Sequence, residues 1–303
     1  RAALVSVLVG SGIALLLALI LAEHLIQPMR ELTRAARQMA KGDLSQRVPI
    51  EGKDELAELG QAFNHMASSL QQANENRQAM TADIAHELRT PLSVQRAHLE
   101  AIQDGIYPAN SEYLQPVLEQ NLLLTRLVED LRTLALADAG QLRLEVVPVE
   151  FLGLLDRIVE RFQPQAKASG IDLSLIVSPA LQAAAPILPV DPIRIEQILG
   201  NLLSNSLRYL SQGGSIRMNV ERRGQILAIQ VCDSGPGIPP EALAHIFERF
   251  YRADKSRSRS EGGSGLGLAI ARQLAEAHGG TLTAANAQPS GAIFTLALPY
   301  PTI

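Results

Sequence analysis

The N-terminal residues form a continuous apolar run. From Ala2 to Ala22 the chain carries no charged side chain, which is close to the length that a helix needs to cross a bilayer. We predict a transmembrane helix over residues 1–22. A signal peptide and a buried core helix are the alternatives. A signal peptide should have a shorter apolar region followed by a cleavage site, whereas this run leads directly into a charged, periodic segment.

Basic residues follow the apolar run at Arg30, Arg34, Arg37 and Lys41. Positive charge close to the end of a span stays on the cytoplasmic side of the membrane. We therefore expect everything after the span to be cytoplasmic. The chain begins at Arg1 rather than Met, so we expect a fragment whose upstream part could include another span and an external domain.

Two stretches after the apolar run show the spacing of a coiled-coil seam, with steps of four and three residues. The apolar positions are Leu25, Met29, Leu32, Ala36 and Met39 in the first stretch and Leu56, Leu59, Phe63, Met66 and Leu70 in the second. A polar connector, KGDLSQRVPIEGKDE, separates them. Two short helices cannot bury both seams alone, so a parallel dimer that forms a four-helix bundle is expected. A solvated helical linker is the alternative.

The second seam continues through Met80 and Ile84, and a helical hairpin follows. The stretch DGIYPANSEY supplies helix breakers. Helical spacing then resumes at Leu124, Val128, Leu131 and Ala135.

From about residue 140 the pattern changes to short strands and helices. Apolar residues alternate at Ile216, Met218 and Val220, at Leu227, Ile229 and Val231, and at Phe294, Leu296 and Leu298. Alternation of this kind predicts strands with one buried face. Helical segments are predicted near Val190 to Leu210 and Ser264 to His278, which gives an α/β unit.

Composition narrows the functional classes. The chain has a net charge of -4 and a pI near 5.9, so it lacks the basic field expected of a nucleic-acid-binding protein, and we expect no direct nucleic-acid partner. The single Cys232 excludes an internal disulfide framework. No cluster of Cys and His has zinc spacing.

Nucleophilic chemistry is indicated by TADIAHELRTPL, Thr81 to Leu92. Neutral imidazole is a nucleophile at physiological pH, and it needs a neighbour that fixes its tautomer and stabilises the charge formed on attack. Glu87 is the nearest such group to His86, and a carboxylate bonded to one ring nitrogen would leave the other free to attack phosphorus. Thr90 lies one turn beyond His86 on the same face, where its hydroxyl could orient a water.

A histidine acceptor needs a phosphate donor, and the C-terminal unit contains candidate motifs for one. EQILGNLLSNSLRY places Asn201 and Asn205 on one face of a helix, and amide oxygens suit Mg²⁺. DSGPGIP places Asp233 at a strand end before Gly235 and Gly237, in a turn where a carboxylate can accept a hydrogen bond from a purine amine. Paired asparagines are usually polar surface, and such turns are commonly only turns.

A glycine-rich helix start completes the set. GGSGLGLAI places Gly263, Gly265 and Gly267 where backbone N–H groups can meet phosphate oxygens. This motif is also weak alone. Its position after the other motifs, in a fixed order, favours a nucleotide site.

Three regions together resemble a known family. The segment after the apolar run resembles the HAMP signal-relay domain, including Pro28 and DELAELGQAFNHM. HELRTPL preceded by MTAD resembles the H box of membrane sensor histidine kinases. This resemblance implies that His86 is phosphorylated and that Pro91 bends a dimeric helical-hairpin bundle so that the histidine can be reached. It also implies a phosphatase mode that uses Glu87 and Thr90 on a phosphorylated regulator.

The C-terminal unit resembles the ATP-binding domain shared by histidine kinases, DNA gyrase, Hsp90 and MutL, an α/β two-layer sandwich of the GHKL or Bergerat type. The motifs run in the order N box, Asp-Gly turn, IFERFYR, glycine-rich helix start and GGTL. The resemblance implies ATP and Mg²⁺ as cofactors, with Asn205 as the metal ligand. The implied ATP-binding residues are Asn201, Asn205, Arg208, Tyr209, Asp233, Gly235, Gly237, Arg252, Gly263, Gly265, Leu266 and Gly267.

The segment from Ile238 to Ser264 is long and mostly irregular, and such loops in compact domains are usually functional. It resembles an ATP lid. Its run RADKSRSRS, Arg252 to Ser260, concentrates positive charges that would otherwise belong to a solvated loop. Opposite a triphosphate they would order the lid.

A gyrase-like or Hsp90-like ATPase clamp is the alternative enzyme. Those hydrolases carry a glutamate four residues before the metal-binding asparagine to activate water, whereas this chain has Asn201 there. Phosphoryl transfer to His86 remains possible without that base, because it depends mainly on positioning and electrostatic stabilisation. A degenerate membrane scaffold is disfavoured because no expected chemical residue is missing.

We therefore expect a multi-domain, homodimeric sensor histidine kinase of the bacterial inner membrane. Its predicted domains are a transmembrane helix (1–22), a HAMP four-helix coiled coil (23–75), a dimerisation and histidine phosphotransfer domain (76–140) and a catalytic ATP-binding domain (141–303). The expected partner is a cognate response regulator whose receiver aspartate takes the phosphoryl group. AIQDGIYPANSEYL and TRLVEDLRTLALADAGQL are similar to envelope-stress sensors of the BaeS type.

Overall fold

The computed structural model describes residues 2–50, 52, 54–252 and 264–300. It divides into two compact units, Arg1–Ala85 and His86–Ile303. The helices are α1 (Ala2–Leu21), α2 (Gln27–Ala40), α3 (Glu55–Gln103), α4 (Ser111–Asp138), α5 (Phe151–Ala168), α6 (Pro179–Ala184), α7 (Pro192–Tyr209) and α8 (Gly267–Ala277). The strands are β1 (Val147–Glu150), β2 (Asp172–Val177), β3 (Ile187–Val190), β4 (Ser215–Arg223), β5 (Ile226–Asp233), β6 (Thr281–Asn286) and β7 (Ala292–Pro299).

The N-terminal unit begins with an apolar helix. Helix α1 is long and apolar enough to cross a membrane between Ala3 and Ile20, and none of that stretch is buried by the rest of the chain. A short π-helical turn, Ala22–Ile26, joins it to α2, whose first turn contains Pro28. Proline is tolerated there because the first N–H groups of a helix have no intrahelical partner.

Helix α2 packs against the beginning of α3 through small and aromatic side chains. Ala35, Val48, Phe63 and Ala67 form a buried cluster. Ala35 is buried within this chain, whereas Ala36 of the predicted seam is exposed. The seam was predicted for packing against a second copy, so it stays a prediction. A seam with steps of four and three follows one line on a helix, whereas a helix that packs against both a partner helix and a connector turns a broader face inward.

The polar connector between α2 and α3 is held by Asn64. The Asn64 side chain accepts a hydrogen bond from the N–H of Val48 at 2.9 Å and donates to the carbonyl of Val48 at 2.8 Å. Of the second predicted seam, Phe63 is buried, but Leu59, Met66 and Leu70 are exposed. The difference arises because α2 and the connector cover one face of α3 and leave a second apolar face uncovered.

The C-terminal unit starts with the predicted helical hairpin. Pro91 lies inside α3, and its side chain is buried. Asn110 caps α4 by accepting the N–H of Tyr113 at 3.1 Å. Helix α4 then packs on the rest of the unit, because Leu127 and Leu134 belong to the same buried cluster as the core of the α/β part.

The α/β part has two layers. Its main sheet has the strand order β2-β4-β5-β7-β6, in which β2 and β4 are parallel and the other neighbours are antiparallel; β1 and β3 form a separate antiparallel pair. The predicted alternation is confirmed. Met218 pairs with Val231, and Val231 pairs with Phe294, so buried side chains align across the sheet. Helices α5, α7 and α8 contribute many of the other core side chains.

Candidate functional site

A cavity of about 290 Å³ lies in the C-terminal unit, beside helix α7. Helix α7 turns one face into the core through Ile198, Leu202 and other apolar residues. Asn201, Asn205 and Arg208 are spaced by four and three residues on another face, and all of them line the cavity. The periodicity of the helix therefore separates a packing face from a polar face.

The start of α7 is fixed by a buried carboxylate. Asp191 is 4% exposed. Its Oδ1 accepts the N–H groups of Ile193 and Arg194 at 3.1 and 3.2 Å, and its Oδ2 accepts the N–H of Glu145 at 2.9 Å. An N-cap of this kind satisfies donors that the helix itself leaves unpaired. It holds α7, and hence the polar face of α7, in position.

Asp233 lines the cavity at the end of β5 and is held by hydrogen bonds from two directions. Its Oδ1 accepts the N–H of Gly235 at 2.9 Å and the N–H of Ala292 at 3.1 Å. Its Oδ2 accepts from the hydroxyl of Ser206 at 3.3 Å. The carboxylate is therefore fixed in orientation, and Oδ2 retains a lone pair for a ligand donor.

Sequence reasoning did not include Ser206, Gly291 or Ala292. Ser206 follows the predicted Asn205 along α7, is 1% exposed and donates to Asp233. Gly291 has φ of 111°, and a side-chain carbon there would lie 1.9 Å from the carbonyl oxygen of Asp233. Only glycine allows the chain to pass this close to the strand end. The serine next to Asn205 is visible in the sequence, but its burial and the approach of residues 291 and 292 to Asp233 are not.

The two asparagines of α7 differ in their hydrogen bonds. The amide nitrogen of Asn201 donates to the carbonyl of Gly267 at 2.9 Å and so ties α7 to the first residue of α8. The Asn205 side chain makes no hydrogen bond among the described residues, and it lines the cavity. Its amide oxygen is thus available to a hard cation such as Mg²⁺, which fits the predicted donor.

The glycine-rich segment turns sharply before α8. Gly265 has φ of 70°, and a side-chain carbon there would lie 2.9 Å from the backbone of Phe250. Phe250, itself at φ 60°, donates its N–H to the carbonyl of Gly265 at 3.1 Å. Leu266 is fully buried and precedes α8. The predicted Gly263 lies outside the described residues.

Three of the remaining predicted nucleotide residues line the cavity, and Gly235 lies beside it. Tyr209, Gly237 and Arg252 line it, whereas Gly235 contributes the N–H that Asp233 accepts. Asn286 holds the start of the long loop, accepting the N–H of Ile238 and donating to its carbonyl, both at 2.7 Å. Of the basic run, Arg252 is described, and residues 253–260 lie outside the described residues.

The histidine segment approaches the same cavity through Arg252. His86 is exposed. The Glu87 carboxylate lies 3.9 Å from Nη1 of Arg252, which lines the cavity. The expected hydrogen bond from a ring N–H of His86 to the Glu87 carboxylate is not formed in this conformation, since neighbouring positions on a helix point about 100° apart. The Thr90 hydroxyl donates to the carbonyl of His86 at 3.3 Å.

Three family models match the chain along its length. Residues 20–72 match the HAMP domain, residues 76–140 match the His Kinase A (phospho-acceptor) domain, and residues 190–302 match the histidine kinase-, DNA gyrase B- and HSP90-like ATPase domain. This chain has the domain set of a sensor histidine kinase. The phospho-acceptor match contains His86, and the ATPase match contains most of the cavity.

Known histidine kinases resemble the chain in sequence and in structure. The signal transduction histidine-protein kinase BaeS of Escherichia coli (strain K12) is 38% identical over 95% of this chain and 60% of its own length. The histidine-protein kinase/phosphatase MprB of Mycolicibacterium smegmatis is 34% identical over 90% of this chain and 56% of its own. The chain thus spans a little over half of these relatives. The predicted resemblance to the sensor kinase family is confirmed.

A solved histidine kinase structure supports the fold. The histidine kinase AdeS of Acinetobacter baumannii matches 72% of this chain and 98% of its own, with a TM-score of 0.60 and 29% identity. The predicted fold class, with HAMP and phospho-acceptor helices and an α/β sandwich, is confirmed.

The helical hairpin supplies one wall of the cavity. Leu123, Arg126, Leu127 and Asp130 of α4 line it. Arg249 anchors α4 near its end, since its Nη1 donates to Oδ2 of Asp138 at 2.7 Å and its Nη2 contacts Oδ1. None of these side chains was a predicted site residue. The sequence shows that α4 carries acidic and basic residues. It does not show that they lie beside a cavity whose other walls come from residues 201–294.

Proposed function

We propose that the chain is a sensor histidine kinase that transfers the γ-phosphoryl group of ATP to His86. One observation supports this most strongly. Arg252 lines the nucleotide cavity and also lies 3.9 Å from the carboxylate of Glu87, the neighbour of His86. The acceptor segment is therefore next to the cavity edge where a positive side chain would meet phosphate oxygens.

In the proposed reaction one ring nitrogen of His86 attacks the γ-phosphorus. A nitrogen–phosphorus bond forms, the bond to the β–γ bridging oxygen breaks, and ADP leaves. Glu87 stabilises the positive charge that develops on the ring and fixes its tautomer. Because Glu87 contacts Arg252 in the present conformation, the reactive arrangement requires Glu87 to exchange Arg252 for the imidazole of His86.

Different residues of the cavity bind different parts of ATP. Asp233 accepts a hydrogen bond from the adenine amine, and Arg208 and Arg252 face the phosphates. The oxygen of Asn205 would hold Mg²⁺, which neutralises charge on the phosphates when it is bound. Gly265 and Gly267 direct backbone N–H groups at the start of α8 to the phosphates.

Homodimerisation is proposed from the apolar surfaces that one chain leaves uncovered. Leu59, Met66 and Leu70 are exposed on the HAMP part, and Leu118 and Leu122 are exposed on α4. Their helical spacing suits packing against a second copy. Helix α1 would hold the dimer in the bacterial inner membrane, with the kinase part in the cytoplasm.

The phosphoryl group is proposed to pass from His86 to an aspartate of a separate response regulator. A phosphatase mode on that regulator is supported by the position of Thr90, one turn from His86, and by the similarity to a kinase/phosphatase. In that mode the Thr90 hydroxyl would place a water near the regulator's phospho-aspartate.

Labelling with ATP separates this function from an ATPase clamp. The full chain in lipid nanodiscs, supplied with γ-labelled ATP and Mg²⁺, should acquire protein-bound label that is lost in acid and kept in base, as a phosphoramidate is. Label should exceed released inorganic phosphate in the first turnover. Rapid release of phosphate without any labelled protein would favour the clamp and contradict the kinase.

A further inference from the structure

Helix α4 places an acidic side chain in the wall of the nucleotide cavity. Asp130 lines the cavity together with Leu127 of the same helix. The side chain is half-buried, and it makes no hydrogen bond and no ion pair among the described residues. The proposed function gives this carboxylate no task, although any nucleotide in the cavity would lie close to it.

The charged groups around Asp130 come from several elements. On α4 itself Arg126 is one turn away, and Glu129 is the adjacent residue. Across the cavity stand Arg208 of α7, Asp233 of β5 and Arg252 of the long loop. The titratable phenols of Tyr209 and Tyr251 also line the wall. Arg126, whose charge acts on Asp130, is exposed to solvent, so it compensates the carboxylate only in part.

Packing of α4 keeps Asp130 in this position. Leu127, one turn before Asp130, and Leu134, one turn after it, are both buried in the common core. The ion pair between Asp138 and Arg249 holds the end of the helix. The backbone of α4 at Asp130 therefore stays beside the cavity unless α4 itself moves.

We propose that Asp130 weakens nucleotide binding while α4 covers the cavity, so that ATP occupancy and the packing of α4 oppose one another. A triphosphate brings several negative charges into a cavity small enough for Asp130 to lie within about 10 Å of them, roughly one Debye length. Like charges at that range repel, and the repulsion falls when α4 moves out. This inference rests on the proposed function, because it takes the cavity to be the ATP site.

The ionisation of Asp130 fits this role. Burial raises the pKa of Asp130 to about 6, against a partial opposing effect of Arg126. Its raised pKa means that the carboxyl is charged at pH 7.5 and largely neutral at pH 5. The repulsion should therefore be present above pH 6 and be lost as the pH falls through about 6.

The test compares nucleotide affinity in three forms of the full chain in nanodiscs: wild type, Asp130→Asn and Glu129→Gln. Glu129→Gln removes the same charge from the same helix, but Glu129 is exposed and does not line the cavity. At pH 7.5 Asp130→Asn should bind the non-hydrolysable analogue adenylyl imidodiphosphate with Mg²⁺ about three- to tenfold more tightly than wild type. Glu129→Gln should match wild type.

Adenosine binding and the pH dependence show whether the effect of Asp130→Asn comes from the lost charge or from a change in structure. Adenosine has no phosphate, so its affinity should be the same for wild type and Asp130→Asn. At pH 5 the advantage of Asp130→Asn for the triphosphate should disappear; the titration of the nucleotide itself is common to both proteins and cancels in the ratio. In an Asp138→Ala background, where α4 is held less firmly, the effect of Asp130→Asn should shrink.

Several outcomes would overturn the inference. Equal affinities at pH 7.5, weaker binding by Asp130→Asn, an equal gain for adenosine, or an undiminished effect in the Asp138→Ala background would each do so. Those outcomes do not contradict the proposed kinase function, because wild type still binds the nucleotide. Failure of all three proteins to bind either ligand would instead contradict the proposed function itself.

Discussion

The nucleotide cavity and the His86 segment are built in opposite ways. Asp233 in the cavity is fixed by donors from Ser206, Gly235 and Ala292, which come from three separate parts of the chain. His86 and its neighbours lie within one turn of one helix, where His86 is exposed and Glu87 contacts Arg252 at the long distance of 3.9 Å.

This difference suits the two regions to different tasks, namely ligand binding by the cavity and reaction at His86. A preorganised pocket binds one ligand in one orientation without rearranging, whereas an exposed nucleophile with few fixed contacts is free to meet more than one reactant. The proposed function needs both properties, since His86 must meet ATP and then a response regulator. Substitutions in the two regions should therefore affect different measurements.

Glu87→Ala should produce the largest effect on labelling among the substitutions that keep His86. The carboxylate orients the neutral imidazole and stabilises the positive charge that forms on attack, so its loss should slow labelling by about 10²-fold, the usual scale of a positioned base. Nucleotide affinity should stay close to normal. The measurement is the initial rate of label incorporation, with Asp83→Ala as a matched control, because Asp83 is an exposed acid one turn earlier on the same helix. A normal rate for Glu87→Ala would show that the imidazole needs no carboxylate.

Asp233→Asn should lower the affinity of the cavity for ATP. Replacing a charged acceptor for the adenine amine should cost about 1.5–3 kcal/mol of binding free energy, which is roughly a tenfold to hundredfold loss of ATP affinity. Titration with ATP and with GTP measures it, and Asp172→Asn, an exposed acid at the start of β2, serves as the control. Equal affinity of the wild type for ATP and GTP would rule out the adenine role of Asp233.

The two asparagines of α7 should separate metal binding from support of the fold. Asn205→Ala should remove most of the strengthening that Mg²⁺ gives to ATP binding, by about tenfold, the lower end of what disturbing a metal site costs. Asn201→Ala should keep the Mg²⁺ dependence but loosen the start of α8, because it loses the bond to Gly267. Binding titrations with and without Mg²⁺ test both. The same loss of Mg²⁺ dependence in both variants would contradict the assignment of Asn205 alone.

Thr90→Ala should have the smallest effect on labelling. The Thr90 hydroxyl bonds to the backbone carbonyl of His86 rather than to its ring, so self-labelling should stay near normal. Dephosphorylation of the partner regulator should slow, because the hydroxyl no longer places a water. Both rates can be measured on one preparation with purified regulator. If Thr90→Ala lost label as completely as a variant without His86, Thr90 would be structural beside Pro91.

Much of the fold was predictable because it depends on local periodicity. The alternation at Met218, Val231 and Phe294 predicted three strands whose buried faces the structure confirms. Within one chain, Ala35 of α2 is buried and Ala36 of the predicted seam is exposed. Spacing gives the side of a helix that is apolar, but the neighbours that cover it decide which residue is buried.

The site was predictable where its residues share a motif. Asn205 and Asp233 lie in recognisable stretches, and both line the cavity. The approach of Gly291 to Asp233 and the wall formed by Asp130 depend on tertiary contacts between distant segments. A single sequence contains no signal for such contacts, because neither residue differs locally from an ordinary turn glycine or helix acid.

Replacement of His86 tests the separation of nucleophile and pocket most directly. His86→Gln and wild type, both as full chains in nanodiscs, should be compared for label from γ-labelled ATP and for ATP affinity on the same preparations. The account predicts that His86→Gln acquires no acid-labile label and binds ATP as tightly as wild type. Label that persists on His86→Gln would place the acceptor elsewhere, and loss of ATP affinity would show that the two regions are not separate.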